Sequence, residues 1–246
     1  MQAIILAGGY GTRLYPLTID APKPMIQVGE KPMIEYLVEK LNQIPEISQI
    51  FVVSNAKFSH VFTEWVEKKN YTNITVVNDG TLTNEDRLGS VGDIQYVLQH
   101  YSIDEDVMIL GGDNFFEDSL QNAVGLFHKK GNIIVLHEEK DLELVKGFNN
   151  LDMDADGKVL NFIEKPENPT STLHATLIYI LQNSSLHHID AVIASGKADR
   201  AWDFIAYLCQ KDDIYGTPLE GEWFDIGTLD QLKKAEDWIH LKNDKK

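Results

Sequence analysis

Leu6-Ala7-Gly8-Gly9-Tyr10-Gly11-Thr12-Arg13-Leu14 decides how this chain is read. The apolar run leading into it, Ala3 to Ala7, reads as a buried strand, and it empties into three glycines within four positions. Glycine has no Cβ and tolerates positive φ, so such a loop lets backbone N–H groups approach a bulky anion. Arg13 follows at once, and Lys23 stands ten residues later in Pro22-Lys23-Pro24. A strand, a glycine loop and two cations suggest a cradle for a triphosphate. Two familiar phosphate loops do not fit. The dinucleotide pattern G-x-G-x-x-G would begin at Gly9 and finds Leu14 at its third glycine, and no Gly-Lys-Ser/Thr follows at P-loop spacing.

Outward from the loop, helix and strand patterns alternate. Lys31-Pro32 opens a helix with apolar Met33, Ile34, Leu37, Val38 and Leu41, proline being favourable at a first helical position. Strands are predicted at Ile47–Val53, Ile74–Val77, Val107–Leu110 and Ile133–Leu136, and helices at Phe58–Val66, Val91–Leu98 and Leu120–Phe127. This β-α-β rhythm predicts an α/β fold with a mainly parallel sheet and helices on both faces. Ligands then sit beyond the carboxyl ends of the strands, where Gly8–Arg13 and Gly111–Asp113 fall. Further on, Phe148–Met153 and Val159–Glu164 read as strands around a polar turn at Asp154–Gly157. That turn begins like a calcium loop, but Ile163 holds the twelfth place, where a bidentate glutamate is needed. Thr176–Leu181 is a strand, Trp202–Cys209 a helix and Asp230–Leu241 a closing helix, with Thr228 or Asp230 as its cap. No linker or repeat divides the chain. It reads as one domain over 1–246, in two halves at 1–140 and 141–246.

The 246 residues, 43% of them hydrophobic, suffice for one large core. Lys+Arg is 22 and Asp+Glu 38, a net charge of −16, which disfavours general binding to nucleic acid or to an anionic membrane. Cys209 is the single cysteine, so no disulfide framework is expected. No signal peptide and no membrane-length apolar run is read, and a cytoplasmic location is expected. The histidines are scattered. His187 and His188 are neighbours, which point apart in regular structure, so no histidine metal site is expected.

The string L-A-G-G-x-G-T-R-L-x-P-L-T with its following P-K-P-M, spanning Leu6 to Met25, resembles the signature of the sugar-1-phosphate nucleotidyltransferases, the nucleotide-sugar pyrophosphorylases. The resemblance implies a Rossmann-like nucleotidyltransferase fold with a mixed, mostly parallel sheet, and a reaction of NTP with sugar 1-phosphate assisted by Mg²⁺. It implies that Leu6, Ala7, Gly8, Gly9, Gly11, Thr12, Arg13 and Lys23 hold the nucleotide. Gly111-Gly112-Asp113 resembles the family's G-D motif and Trp223-Phe224-Asp225-Ile226-Gly227-Thr228 its W-x-D-x-G-T, which together imply Asp113 and Asp225 as metal ligands. Carboxylates are the usual protein ligands of Mg²⁺. Glu164-Lys165-Pro166 resembles E-K-P, which implies that Lys165 meets the sugar phosphate and Glu164 the sugar hydroxyls. Asn114, Gly147, Thr176 and Tyr179 are further substrate-binding candidates. In the base-reading segment Gly89 fits a glycine beneath the base, and Asn84, Glu85 or Asp86 is a candidate for reading the base edge, each of which could equally be solvated. Assembly into a homo-oligomer stays open.

The chain departs from the family pattern at three places. Asp93 stands where a small apolar residue is usual, Leu177 replaces the glycine of T-G-x-Y, and Phe148-Asn149-Asn150 follows Gly147 in place of G-V-V. The last two border the expected sugar site and put glucose in doubt. Two other readings are weighed: a cytidylyltransferase for a non-sugar phosphate such as phosphocholine, and a catalytically silent nucleotide-binding regulator. Choline calls for an aromatic cage, which Glu164-Lys165-Pro166 does not suggest. The five candidate catalytic residues Arg13, Lys23, Asp113, Lys165 and Asp225 are all present, which disfavours silence.

Overall fold

A computed structural model describes residues 1–243. The strands are β1 Gln2–Leu6, β2 Gln27–Val28, β3 Lys31–Pro32, β4 Gln49–Ser54, β5 Ile74–Asn78, β6 Val107–Gly111, β7 Asn114–Phe116, β8 Ile133–Glu138, β9 Asn149–Met153, β10 Val159–Glu164, β11 Leu173–Leu181, β12 Tyr215–Pro218 and β13 Trp223–Asp225. The helices are α1 Met33–Leu41, α2 Ser59–Lys69, α3 Gly89–His100, α4 Gln121–Lys130, α5 Leu142–Val145, α6 His188–Ala194, α7 Ala201–Leu208 and α8 Leu229–Asn243. Among these, α5, α6, β7, β12 and β13 had no counterpart in the periodicity, being too short to show a period. The proline of Lys31-Pro32 lies before the helix rather than inside it: Lys31–Pro32 pairs with Gln27–Val28, and the helix begins at Met33.

Seven strands form one sheet in the order β12-β8-β11-β6-β1-β4-β5. Neighbours pair in parallel except β11, which runs against both β6 and β8, so the sheet is mixed and mostly parallel. Strands from both halves of the sequence share it. Along β1, Ala3 and Ile5 pack into a core on one face of the sheet and Ile4 into a core on the other, as strand alternation requires for a sheet buried on both sides. The predicted core residues Leu37, Leu41, Phe62 and Trp65 lie in the first of these cores. Trp238 instead packs, partly buried, against a third cluster around Met33 and Phe115.

The order places the site. From β1 the chain moves outward to β4 and β5, then returns to β6 on the other side of β1. The crevice at such a reversal, outside the carboxyl ends of the strands, is where open α/β sheets bind ligands. Leu6 is in register with Gly111, so the glycine loop after β1 and the Gly-Gly-Asp after β6 leave the sheet side by side.

The Asp154–Gly157 turn is a hairpin turn. Asp154 Oδ1 accepts from the N–H groups of Asp156 and Lys158, both at 2.9 Å, and β9 and β10 pair antiparallel around it. His187 and His188 do not point apart, because the chain is turning there into α6, and their ring centroids are 3.9 Å apart. Among the described residues, no helix is long and apolar enough to cross a membrane.

Gly89 opens α3 at φ +79°, and a Cβ there would lie 2.3 Å from Asp199 Cα and 2.7 Å from the Ala198 carbonyl oxygen. Neither backbone can move out of the way like a side chain. Gly89→Ala is therefore expected to destabilise the fold by at least about 2 kcal/mol. At this chain length that is a melting temperature lower by roughly 4–8 °C. Calorimetry checks it, and an unchanged melting temperature would contradict the packing.

Candidate active site

The glycine loop turns through a short 3-10 helix at Thr12–Leu14 and is held from below. Asn55, fully buried, donates from Nδ2 to the Gly8 carbonyl at 2.9 Å and accepts from the Phe58 N–H at 3.1 Å. Gly9 faces open space: a Cβ there would meet nothing within 4 Å. A loop backbone fixed underneath and bare on top can be approached closely by an anion. Lys23 reaches the same place from the 3-10 turn at Lys23–Met25, and its Nζ donates to Asp113 Oδ2 at 2.6 Å. A cleft of about 230 Å³ is lined here by Leu6, Ala7, Gly9, Gly11, Thr12, Arg13, Lys23 and Asp113. These eight are sequence candidates, and Leu14, Pro24 and Gly227 complete the lining. Gly8, also a candidate, is not in the lining and packs against Asp93 and Asp79.

Asp225 arrives by pairing. Strand β13 runs antiparallel to β7, with Asp225 opposite Asn114, the residue after Asp113. The Ile226 N–H also donates to the Asp113 carbonyl at 3.3 Å. Two carboxylates 112 positions apart in the sequence thus share one site. Burial raises the Asp113 carboxyl, but the Lys23 ammonium and Arg13 outweigh it and hold the group below its usual range. Asp225 is pushed up to about 6 by burial and by the charge on Asp113, with Lys23 and Arg13 opposing. Two adjacent, half-buried carboxylates that resist sharing full negative charge, with only one lysine directly paired, form an oxygen donor set suited to a hard divalent cation such as Mg²⁺.

A second cleft, of about 540 Å³, also begins at Arg13 and Asp113. Its lining includes the candidates Asn114, Gly147, Glu164, Lys165, Thr176, Tyr179 and Asp225. The two clefts therefore meet at Asp113. Lys165 is exposed at φ +44°, with its N–H donating to the Phe148 carbonyl at 2.7 Å. Leu177 lines the same cleft at φ +56°. Among the described residues only Asn70 otherwise combines positive φ with a side chain, and sites that bind and react are where such strain is retained. The position where the resembled family carries glycine is thus one whose backbone favours glycine.

Several candidates are engaged within the protein, and three lie outside both clefts. The Asn114 amide is fully used: Nδ2 donates to the Gly111 carbonyl at 3.2 Å, and Oδ1 accepts from Trp223 Nε1 at 2.6 Å. The Thr176 hydroxyl donates to the Val135 carbonyl at 2.9 Å, and the Tyr179 ring is 2% exposed, its phenol held above its usual range by burial. Asn84, Asp86 and Gly89 line neither cleft. Asp86 accepts from the N–H groups of Leu82 and Thr83, and these bonds hold its carboxyl below the usual range. Gly89 packs on the Ala198–Asp199 backbone.

Arg200 escaped the sequence reading, and Trp202, Phe148, Trp223 and Asp93 were named in it without these roles. Arg200 clamps Glu164 from its NH1 at 3.0 and 2.9 Å, so the glutamate is already oriented. Trp202 lines the second cleft, and its buried Nε1 has no partner. Phe148 and Trp223 line it too, and with Trp202 they form the aromatic wall that Glu164-Lys165-Pro166 did not suggest. Asp93 lies under the glycine loop, where a Cβ on Gly8 would come within 2.8 Å of its Oδ2. Burial and the neighbouring charge of Asp79 push its carboxyl up to about 8. At neutral pH it is mostly uncharged, which is how a carboxyl occupies a position suited to a small apolar side chain.

This has a measurable sign. Between about pH 4 and 8 the folded state keeps a proton on Asp93 that the unfolded chain releases, so this group costs stability as pH rises through that window, by up to about 1.4 kcal/mol per unit. Asp93→Asn cannot release that proton. It is expected to melt higher than the parent at pH 8, with the gain shrinking toward pH 5. A gain independent of pH would contradict this.

Among known proteins, the chain is 28% identical over 240 residues to the bifunctional protein GlmU of Methanocaldococcus jannaschii, covering 97% of this chain and 54% of the relative. It is 31% identical over 245 residues to a UTP–glucose-1-phosphate uridylyltransferase of Synechocystis, covering 96% and 62%. The chain spans about half the length of the GlmU relatives it matches. A solved UDP-glucose pyrophosphorylase, bound to UDP-glucose, superimposes with a TM-score of 0.83 at 19% identity over 98% of each chain, which speaks to the fold. The nucleotidyl transferase family matches residues 2–240, nearly the whole chain, and with the glycine loop, Asp113 and Asp225 gathered beyond the carboxyl ends of β1 and β6 the chain belongs to that family.

Proposed function

We propose that this protein transfers a nucleotidyl group from a nucleoside triphosphate to a sugar 1-phosphate, giving a nucleoside diphosphate sugar and pyrophosphate. The observation that carries this is the meeting of two clefts at Arg13 and Asp113: one has the geometry of a triphosphate cradle, the other a lysine and an oriented glutamate. In this reading a phosphate oxygen of the sugar 1-phosphate attacks the α-phosphorus in line. A new P–O bond forms as the bond to the bridging oxygen breaks, and pyrophosphate departs. Little covalent work falls to the protein. Its residues bring together two polyanions that repel each other in water and hold them for attack. Arg13 and Lys23 neutralise the triphosphate and Lys165 the sugar phosphate. Glu164, pinned by Arg200, accepts hydrogen bonds from sugar hydroxyls. Asp113 and Asp225 would hold Mg²⁺, which when bound supplies positive charge beside the α-phosphate.

A second reading has one observation in its favour. The aromatic rings of Trp202, Phe148 and Trp223 on the second cleft also suit a quaternary ammonium, as in phosphocholine. Pyrophosphate release over a grid of the common nucleoside triphosphates against sugar 1-phosphates and phosphocholine tests both. Turnover with a sugar 1-phosphate supports the proposal, turnover with phosphocholine alone replaces it, and none with any pair refutes it.

A further inference from the structure

His137 and His174 are directly opposite each other on the antiparallel strands β8 and β11. Cross-strand partners project on the same face, and so does a residue two further along either strand. Glu139 is that residue after His137, and the pairing continues to it, since its N–H donates to the Thr172 carbonyl at 2.8 Å. One donor atom from each of the three side chains lies within 4.8 Å of the other two.

His174 distinguishes this cluster from ordinary packing. It is 0% exposed. Its Nδ1 makes a long contact of 3.5 Å with the Ala175 carbonyl, and its Nε2 is buried without a partner. Buried polar atoms are nearly always satisfied, and an orphan needs a reason. The ring stacks on Phe148, with centroids 4.3 Å apart and planes at 7°, and meets Trp223 edge-on at 5.1 Å. A contact from one ring nitrogen to a backbone carbonyl, with the other nitrogen bare, is the arrangement metal-ligating histidines usually have.

We propose that His137, Glu139 and His174 form a binding site for one divalent transition-metal ion of the zinc class, with a donor set that includes neither Asp113 nor Asp225. Two imidazoles and one carboxylate are a recurrent zinc donor set, with water completing a tetrahedron. Mg²⁺, which takes oxygen ligands, is a poor match for it. Bonds of about 2.0–2.2 Å require donors roughly 3.4 Å apart, so the cluster must draw in by about an ångström. His137 and Glu139 are only half-buried and have that freedom. One Glu139 oxygen accepts from the Lys140 N–H at 2.9 Å, leaving the other available. An ion has a way in: His137 and Glu139 line a cleft of about 620 Å³ that also contains Glu138, Glu222 and, on another part of its lining, Asp225. Phe148 and Trp223 border both this cleft and the second active-site cleft, so a bound ion would brace that aromatic wall.

The test is calorimetric titration of the full-length, chelator-stripped protein with ZnCl₂ in excess Mg²⁺, with Co²⁺ absorption as an independent reading. The wild type is expected to take up one Zn²⁺ per chain, and Co²⁺ to show the intense visible bands of a four-coordinate site. His137→Ala and Glu139→Gln, both at half-buried positions, should each weaken Zn²⁺ binding at least about tenfold and remove the Co²⁺ bands. Asp225→Asn should retain both. No uptake in the wild type, unchanged affinity in either of the first two variants, or loss of binding in Asp225→Asn overturns the proposal. Because the readouts are binding and spectra, the result is independent of whether the protein transfers nucleotides to sugars.

Discussion

Asp225→Asn is expected to slow nucleotidyl transfer by at least about a hundredfold while the protein stays folded, the scale seen when one electrostatic element of a catalytic site is removed. The substitution keeps the shape of the side chain and the β7–β13 pairing, which uses backbone groups at Asp225 and Asn114. What it removes is one of two carboxylates at the meeting point of the clefts. Burial and Asp113 already push Asp225 up to about 6, so in the resting protein it gives up its proton reluctantly. A neutral amide there should therefore leave the melting temperature unchanged or raise it. The combination of lost turnover and undiminished stability separates a role in the reaction from a role in folding. Single-turnover rates and thermal denaturation on the same preparation provide the check. Turnover within a few-fold of wild type, or full activity after exhaustive chelation of divalent metal, would remove the two-aspartate arrangement from the proposed mechanism.

Lys165→Ala is expected to weaken binding of the sugar phosphate by roughly 10- to 150-fold. This is the loss of one charge-assisted contact of about 1.5–3 kcal/mol. Affinity for the nucleoside triphosphate should stay within a few-fold. Lys165 lines the second cleft and not the first, and its exposed side chain makes no ion pair in the described structure that its loss would disturb. Its left-handed backbone favours a residue without bulk, so alanine keeps some of the strain, and Lys165→Gly serves as the control in which that strain is gone. Titration calorimetry with each ligand decides the matter. If triphosphate affinity falls as far as sugar-phosphate affinity, the division of labour between the clefts is wrong.

The sheet and the cradle were legible in the sequence because their signals are local. Parallel strands buried on both faces appear as short continuous apolar runs, as in Ala3–Ala7 and Val107–Leu110, and the exits of two of them are marked by glycine. Short elements such as α5 and β13 left no such mark, since three or four residues cannot display a period. The same limit hid the aromatic wall, which Phe148, Trp202 and Trp223 assemble from three separate segments.

What the tertiary structure alone decided is which distant residues meet. Antiparallel pairing of β13 with β7 brings Asp225 to Asp113, and pairing of β11 with β8 sets His174 against His137, although neither histidine is near the other in sequence. Such partners are chosen by long-range register, and a shift of one residue would send each side chain to the opposite face. Backbone conformation was equally hidden. Leu177 sits at φ +56° where β11 breaks register against β8, and Gly89 has no room for a Cβ because the Ala198–Asp199 backbone lies against it. Local composition therefore determined where the elements and the phosphate loop lie. Sheet register and close backbone approach, which depend on residues tens of positions apart, determined which charges, rings and carboxylates share a site.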